Sequence, residues 1–210
     1  MISKSVFCIA IAIILFLAIV IVIWQMTAYK VSEPKYVILK TDKSIEIRQY
    51  PSVIVAKTMI KGERYTAINK GFRLLADYIF GNNRSKQKIA MTAPVIQEGV
   101  NIPMTAPVTQ QMSGDSWIVS FIMPSDFTMA TLPIPNNSAV TLSTIPAKKY
   151  VVVRFTGPNT DTNLQQHLDA LIMYDKQNQL NTVGKPIMAF YNPPWILPFL
   201  RRNEIMFELK

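Results

Sequence analysis

Near the start of the chain, Val6 to Trp24 form nineteen uncharged and mostly apolar residues in a row; beyond them the pattern breaks into short periodic segments. As a helix such a run spans roughly 28 Å, the hydrocarbon thickness of a bilayer. The apolar part of a cleavable signal peptide is usually only about 7–15 residues and ends in small residues. Here the run ends in Trp24 with Tyr29 close behind, residues suited to a membrane interface. The pattern predicts an uncleaved single-pass transmembrane anchor over 1–29 and a polar linker over 30–35. Lys4 precedes the run while Lys30 and Lys35 follow it, so the positive-inside count is nearly balanced. A short, weakly basic N-terminus before a long apolar run is the signal-anchor pattern, which puts the following domain on the extracytoplasmic side.

Residues 36–210 read as one domain. From Ile45 to Ala56 apolar Ile45, Ile47, Val53 and Val55 alternate with Glu46, Arg48 and Ser52, which predicts a half-buried strand with a bend at Pro51. Tyr65 to Phe80 carries Tyr65, Ile68, Phe72, Leu75, Ala76 and Ile79 at helical spacing, and Gly81 stops it. Strands are predicted over Lys88–Val95 and Trp117–Met123. The same order then recurs. Setting Pro146 on Pro51 also sets Gly157 on Gly62, and Ile45 meets Val140. A helical stretch, Asn163 to Gln177, and two strands, Lys185–Tyr191 and Asn203–Leu209, complete the second copy. Two copies of about 95 residues are too few and too long for a solenoid. They predict a pseudo-twofold α+β domain of two βαββ repeats, with two helices on a twisted, barrel-like antiparallel sheet. The interface between such halves is a natural place for a cavity.

Two further stretches stand out. Met91-Thr92-Ala93-Pro94-Val95 recurs as Met104-Thr105-Ala106-Pro107-Val108; a Pro in a strand pattern puts both on hairpin strands or the turns beside them. Near the end, Tyr191-Asn192-Pro193-Pro194 leads into the apolar run Trp195 to Leu200, broken by Pro198, and then into Arg201, Arg202 and Glu204. A stiff apolar loop with cations at its base can wall a pocket for a flat, acid-bearing ligand. The simpler reading is a loop capping the sheet, with Arg202 and Glu204 as a structural ion pair.

The net charge of +9 is spread along the chain. No basic stripe or nucleic-acid module accompanies it, so nucleic-acid binding is not expected. The only cysteine, Cys8, lies in the apolar run, and the only histidine is His167. These counts exclude an intrachain disulfide, a Cys–His dyad and a protein-only zinc site of the usual ligands. No phosphate-cradling Gly-rich loop or His-Glu-x-x-His helix is present. A hydrolase would have to rest on Glu204, Asp126 or Tyr191, and no catalytic residue is assigned. His167 borders the apolar face of the second helix, where it is the one imidazole available as an axial haem ligand. A lone helical His is more often a core-edge or surface residue.

From about residue 34 to residue 209 the chain resembles the SOUL family of haem-binding proteins. The resemblance is carried by Lys88-Ile89-Ala90-Met91-Thr92-Ala93-Pro94-Val95, by Ser120-Phe121-Ile122-Met123-Pro124 and by the Tyr191-to-Ile205 stretch. It implies a βαββ-repeat domain that binds haem or another tetrapyrrole reversibly and non-covalently in an apolar groove, commonly without a dedicated axial His. It also implies that the first helix and the loop before the last strand line that groove. Here these are Phe72, Leu75, Ile79 and Met91 on one side, and Tyr191, Trp195, Phe199 and Arg201 on the other. Arg201 or Arg202 would meet the propionates, as guanidinium pairs well with carboxylate. The expectation is a membrane-anchored, non-catalytic tetrapyrrole carrier, buffer or sensor. The alternative is a membrane-tethered interaction module, or a binder of a small hydrophobic ligand other than haem.

Overall fold

A computed structural model describes residues 9, 11–16, 20, 32–100, 116–193 and 195–210. Among the described residues nine strands form a single sheet: β1 (Val37–Asp42), β2 (Ile45–Tyr50), β3 (Val53–Lys61), β4 (Val95–Val100), β5 (Ser116–Ile122), β6 (Thr141–Ile145), β7 (Lys148–Phe155), β8 (Thr182–Phe190) and β9 (Asn203–Leu209). Among the described residues of this domain two helices accompany them, α1 (Arg64–Ile79) and α2 (Asp161–Asn178). A single 3-10 turn, Pro198–Leu200, precedes β9.

Every strand pair is antiparallel, and the order β1-β2-β7-β9-β8-β4-β5-β3-β6 exposes the repeat. With β1 set aside, the order reads the same from both ends when β2 is matched to β6, β3 to β7, β4 to β8 and β5 to β9. The pseudo-twofold passes between β8 and β4. Each half sends its first strand across to the other, β2 onto β7 and β6 onto β3. The segment Ile45–Ala56 is therefore not one bent strand. Residues 51–52 interrupt it, and β2 and β3 lie near opposite ends of the sheet. Gly62 and Gly157 hold φ of +128° and +118°, a conformation costly for residues with a Cβ, which is why both copies carry glycine there.

The stretch before β4 also departs from expectation. Residues 86–94 run outside regular strand, and only Val95 of Lys88–Val95 joins one. The Ala93–Pro94 bond is cis, and the Thr92 hydroxyl donates to the Ile122 carbonyl, so these residues edge the sheet without joining its ladder. The second copy, Met104–Val108, lies outside the described residues. So does most of the anchor Val6–Trp24. Of it, residues 11–16 are helical and exposed, and among the described residues no helix is long and apolar enough to cross a membrane.

The Glu63 carboxylate caps α1 by accepting from the amides of Tyr65 and Thr66, and the Thr160 hydroxyl caps α2 by accepting from that of Asn163. Leu75, Tyr78 and Ile79 of α1 are buried with Ala56, Val119 and Phe121 of the sheet. Leu164 and Leu171 of α2 are buried with Val151, Val153, Phe155 and Ile205. At the first interface the contact is close enough to demand a glycine. A Cβ on Gly71 would meet Val119 Cγ2 at 2.6 Å and Thr58 Cγ2 at 3.3 Å, and Val119 is fully buried. Gly71→Ala should therefore destabilise by about 1–3 kcal/mol through overpacking, although alanine is the better helix former. Urea unfolding of the variant tests this.

Candidate functional site

Between α1 and the loop that precedes β9, over the seam of β4 and β8, lies a cleft of about 370 Å³. That size falls in the range of small-molecule and cofactor sites. Its α1 wall is Ile68 and Phe72, its floor includes Val95 of β4 and Phe190 of β8, and its far wall is Tyr191, Pro193 and Trp195. Met91 and Ala93, from the segment beside the sheet, close one side. The polar end holds Gln97, Asn159, Arg201 and Asn203. The Gln97 side-chain oxygen accepts from Arg64 at 3.2 Å, and the Asn203 amide donates to the Gly157 carbonyl at 3.0 Å.

The sequence-derived residues divide. Phe72, Met91, Tyr191, Trp195 and Arg201 meet around this one cleft. Leu75 and Ile79 sit behind it, fully buried in the core under α1. Phe199 is 62% exposed on the 3-10 turn and is not part of the cleft wall. Phe72 is 38% exposed and meets Phe121 edge-on at 5.3 Å. Arg201 braces the loop, its Nε donating to the Ile196 carbonyl at 2.7 Å.

Arg202 points into a different environment. It donates to Glu204 Oε1 through Nε and Nη2, at 3.0 and 2.8 Å, and reaches Glu33 at 2.9 Å. Its guanidinium also lies 3.9 Å from the centre of the Tyr191 ring. Glu204 and Arg48 are both fully buried and meet at 2.8 Å. Arg48 in turn contacts Glu46 at 2.6 Å and the Tyr50 hydroxyl at 3.1 Å. Burial by itself would push the Glu204 carboxyl up, but the bond from Arg48, the charges of Arg202 and Arg48, and the Tyr191 hydroxyl outweigh it and hold the group below its ordinary range. The Arg202–Glu204 pair is thus part of a buried network. Tyr191 belongs to both regions. Its ring walls the cleft, while its hydroxyl donates to Glu204 Oε2 at 2.7 Å, and burial, then the Glu204 charge, push the phenol strongly upward. A neutral phenol committed to a buried carboxylate is a poor nucleophile and a poor metal ligand.

His167 is elsewhere. Its ring stacks on Phe155 at 4.0 Å and its Nδ1 lies 2.8 Å from the Asn163 carbonyl, the contact of an N–H donor. Neither residue contributes to the cleft wall. Among the described residues no group of His, Cys, Asp and Glu could hold a metal ion.

Sequence reasoning missed Ile68, Gln97, Asn159, Phe190 and Asn203. Ile68 was legible as the residue one helical turn before Phe72; Gln97, Phe190 and Asn203 become neighbours only through the β4–β8 and β8–β9 pairings, and Asn159, in the loop before α2, accepts from Arg64 at 2.7 Å. Among the described residues there are other hollows. One, of about 570 Å³, is lined largely by hydroxyl and proline residues such as Ser32, Ser52, Thr128 and Thr144. Another, of about 100 Å³, lies under Tyr50 and Tyr150 and includes Glu98, whose carboxyl burial pushes up.

Comparison with known proteins agrees with this architecture. The family model described as SOUL heme-binding protein matches residues 31–208. No curated protein sequence matches the chain. Among solved structures, the C-terminal domain of EcmrR superposes with a TM-score of 0.57 at 16% identity, covering 79% of this chain and 96% of that one. An uncharacterized conserved protein from Listeria innocua gives 0.58 at 11% identity over 80% and 93% of the two chains. A protein described as a hydrolase from the same organism gives 0.55 at 10% over 82% and 94%. At such identities these likenesses establish the fold alone.

Proposed function

The chain belongs to the SOUL heme-binding protein family, and from that premise we propose that the cleft between α1 and the 191–201 loop binds haem or another tetrapyrrole reversibly. The observation that carries the reading is the cleft itself. Aromatic and thioether surface from Phe72, Met91, Tyr191 and Trp195 faces one space, with the cation Arg201 in its wall. That chemistry suits a flat apolar ring bearing carboxylates. Phe72 and Trp195 would contact the macrocycle and Arg201 a propionate. Arg202 would act indirectly, holding Tyr191 through its ring and through Glu204. A bound haem would supply a redox-active iron; this chain's residues would hold and shield the ring.

We further propose a non-catalytic carrier, buffer or sensor, tethered to a membrane by Val6–Trp24 with its domain on the extracytoplasmic side. The exposed helical residues Ile11, Ile13, Ile14, Leu15 and Phe16 support the tether, and the committed state of the Tyr191 hydroxyl supports the lack of catalysis.

An absorbance titration of the full chain in detergent with ferric haem and with metal-free porphyrin tests the binding. Saturable one-to-one binding of both, at similar affinity, is the expected result. Arg201→Ala should weaken free-acid haem by about tenfold, the loss of one charge-assisted contact, and leave the haem dimethyl ester nearly unchanged. No saturable binding of either ligand would overturn the proposal. A preference for haem abolished by His167→Ala would move the site to α2.

A further inference from the structure

We propose that the loop 192–200 is a lipid-docking surface, so that the cleft opens against the bilayer and takes its ligand from the membrane. The inference rests on the reading of Val6–Trp24 as a membrane anchor and deepens the binding proposal by naming the source of the ligand.

The argument begins where the chain enters the domain. The Ser32 carbonyl accepts from the Ala93 amide at 3.1 Å, and Ala93 is part of the cleft wall. Glu33 pairs with Arg202 at 2.9 Å, next to the loop residue Arg201. The entry point is thus pinned beside the cleft. Only eight positions separate Trp24 from Ser32, and a fully extended chain gains at most about 3.6 Å per residue, so Ser32 stays within roughly 29 Å of the end of the apolar run. A short tether of this kind keeps the local concentration of nearby surfaces at the membrane high.

The loop that faces this entry point carries two large rings outward. Trp195 is 67% exposed and Phe199 is 62% exposed. Both are held from behind. Ile196 between them is buried, its amide bonds the Pro193 carbonyl at 3.2 Å, and the Pro198 carbonyl accepts from the Gly157 amide at 3.0 Å. Rigid display of apolar rings to water loses their burial free energy, and nothing inside the fold recovers it. Aromatic side chains regain it at the headgroup level of a bilayer, where Trp is favoured. Exposed apolar residues also begin close to the entry point, in the edge strand β1. Val37 follows Tyr36, whose hydroxyl lies 3.5 Å from Arg202, and Val37, Ile38 and Leu39 are 63%, 48% and 49% exposed. Because Trp195 lies in the cleft wall, a loop docked on lipid sets the cleft mouth against the hydrocarbon boundary, the phase into which an apolar ring partitions.

The test uses the full chain in vesicles of phosphatidylcholine with a minor share of phosphatidylserine, with and without brominated acyl chains. Flotation of the vesicles reports the anchor. In a W24F background, which removes the tryptophan of the anchor, emission should shift to the blue on reconstitution and be quenched by brominated lipid. The quenching should disappear in W24F/W195F, where only Trp117 remains, and return in W24F/W195F/F199W. Flotation with equal quenching in W24F and W24F/W195F, and none gained with F199W, would overturn the docking proposal while leaving the anchor intact. Failure to float would overturn the anchor reading and this inference with it. Porphyrin binding in detergent is read separately and is independent of either result.

Discussion

Glu204→Ala is expected to lower folding stability by about 3–5 kcal/mol, the cost of leaving a buried charge without its partner. The carboxylate is fully buried and receives Arg48 at 2.8 Å, Arg202 at 2.8 Å and the Tyr191 hydroxyl at 2.7 Å. Without it, Arg48 keeps the Glu46 contact, the Tyr50 hydroxyl and the face of the Tyr36 ring at 4.4 Å, and it cannot reach water because its own side chain is buried. Arg202 loses less, as Glu33 remains. Replacing the pair as a whole is milder: Arg48→Met with Glu204→Leu should recover most of the loss, since apolar packing often matches a buried ion pair. The pH dependence has a definite sign. Glu204 is held below its ordinary range in the folded protein, so its contribution is present above the unfolded value, about 4.3, and is lost as pH falls through the lower folded value. Urea unfolding of wild type and Glu204→Gln should therefore differ at neutral pH and converge on acidification. A difference that grew toward acid would contradict the assignment of Glu204 as the ionised centre of this network.

This network shows where sequence reading stops. Arg48 occupies a polar position in an alternating strand, which locally predicts exposure. Its burial follows from β2 pairing with β7, which in turn pairs with β9, and its partner is 156 positions away. The repeat, by contrast, was legible because local constraints mark it: Gly62 and Gly157 need positive φ, and each follows a proline by eleven positions. Alternation along Ile45–Ala56 was read correctly as strand but not as two strands, since side-chain periodicity carries no information on which neighbour a strand pairs with. Lys88–Val95 misled for another reason. Ile89 and Ala93 are buried as a strand face would be, yet they pack from an irregular segment whose polar groups are met by bonds such as Thr92 to Ile122. The edge strand β1 was not anticipated at all; its residues are exposed on both faces, so no hydrophobic alternation marks it.

The helix α1 poses the same problem inside the candidate site, and it yields the second large effect. A 3.6-residue period identifies an apolar arc but does not divide the part that meets the core from the part that meets a ligand. Phe72 and Leu75 lie on one arc, yet Leu75 is fully buried among Ala56, Tyr78 and Phe121, while Phe72 reaches the cleft. Leu75→Ala should thus cost about 2–5 kcal/mol of stability, the transfer term plus the cavity left behind. Its tetrapyrrole affinity, measured under conditions where it stays folded, should remain within about twofold of wild type, because no atom of the cleft wall is removed. Phe72→Ala should behave oppositely. The edge-on contact with Phe121 is worth about 0.5–1.5 kcal/mol, so the stability loss is smaller. The loss of ring contact in the cleft should weaken binding by about tenfold, or ~1.4 kcal/mol. Paired urea unfolding and porphyrin titration of the two variants separate the roles. If Leu75→Ala lost affinity while fully folded and Phe72→Ala kept it, the ligand would have to enter the core side of α1, and the cleft beneath the 191–201 loop would lose its claim to the site.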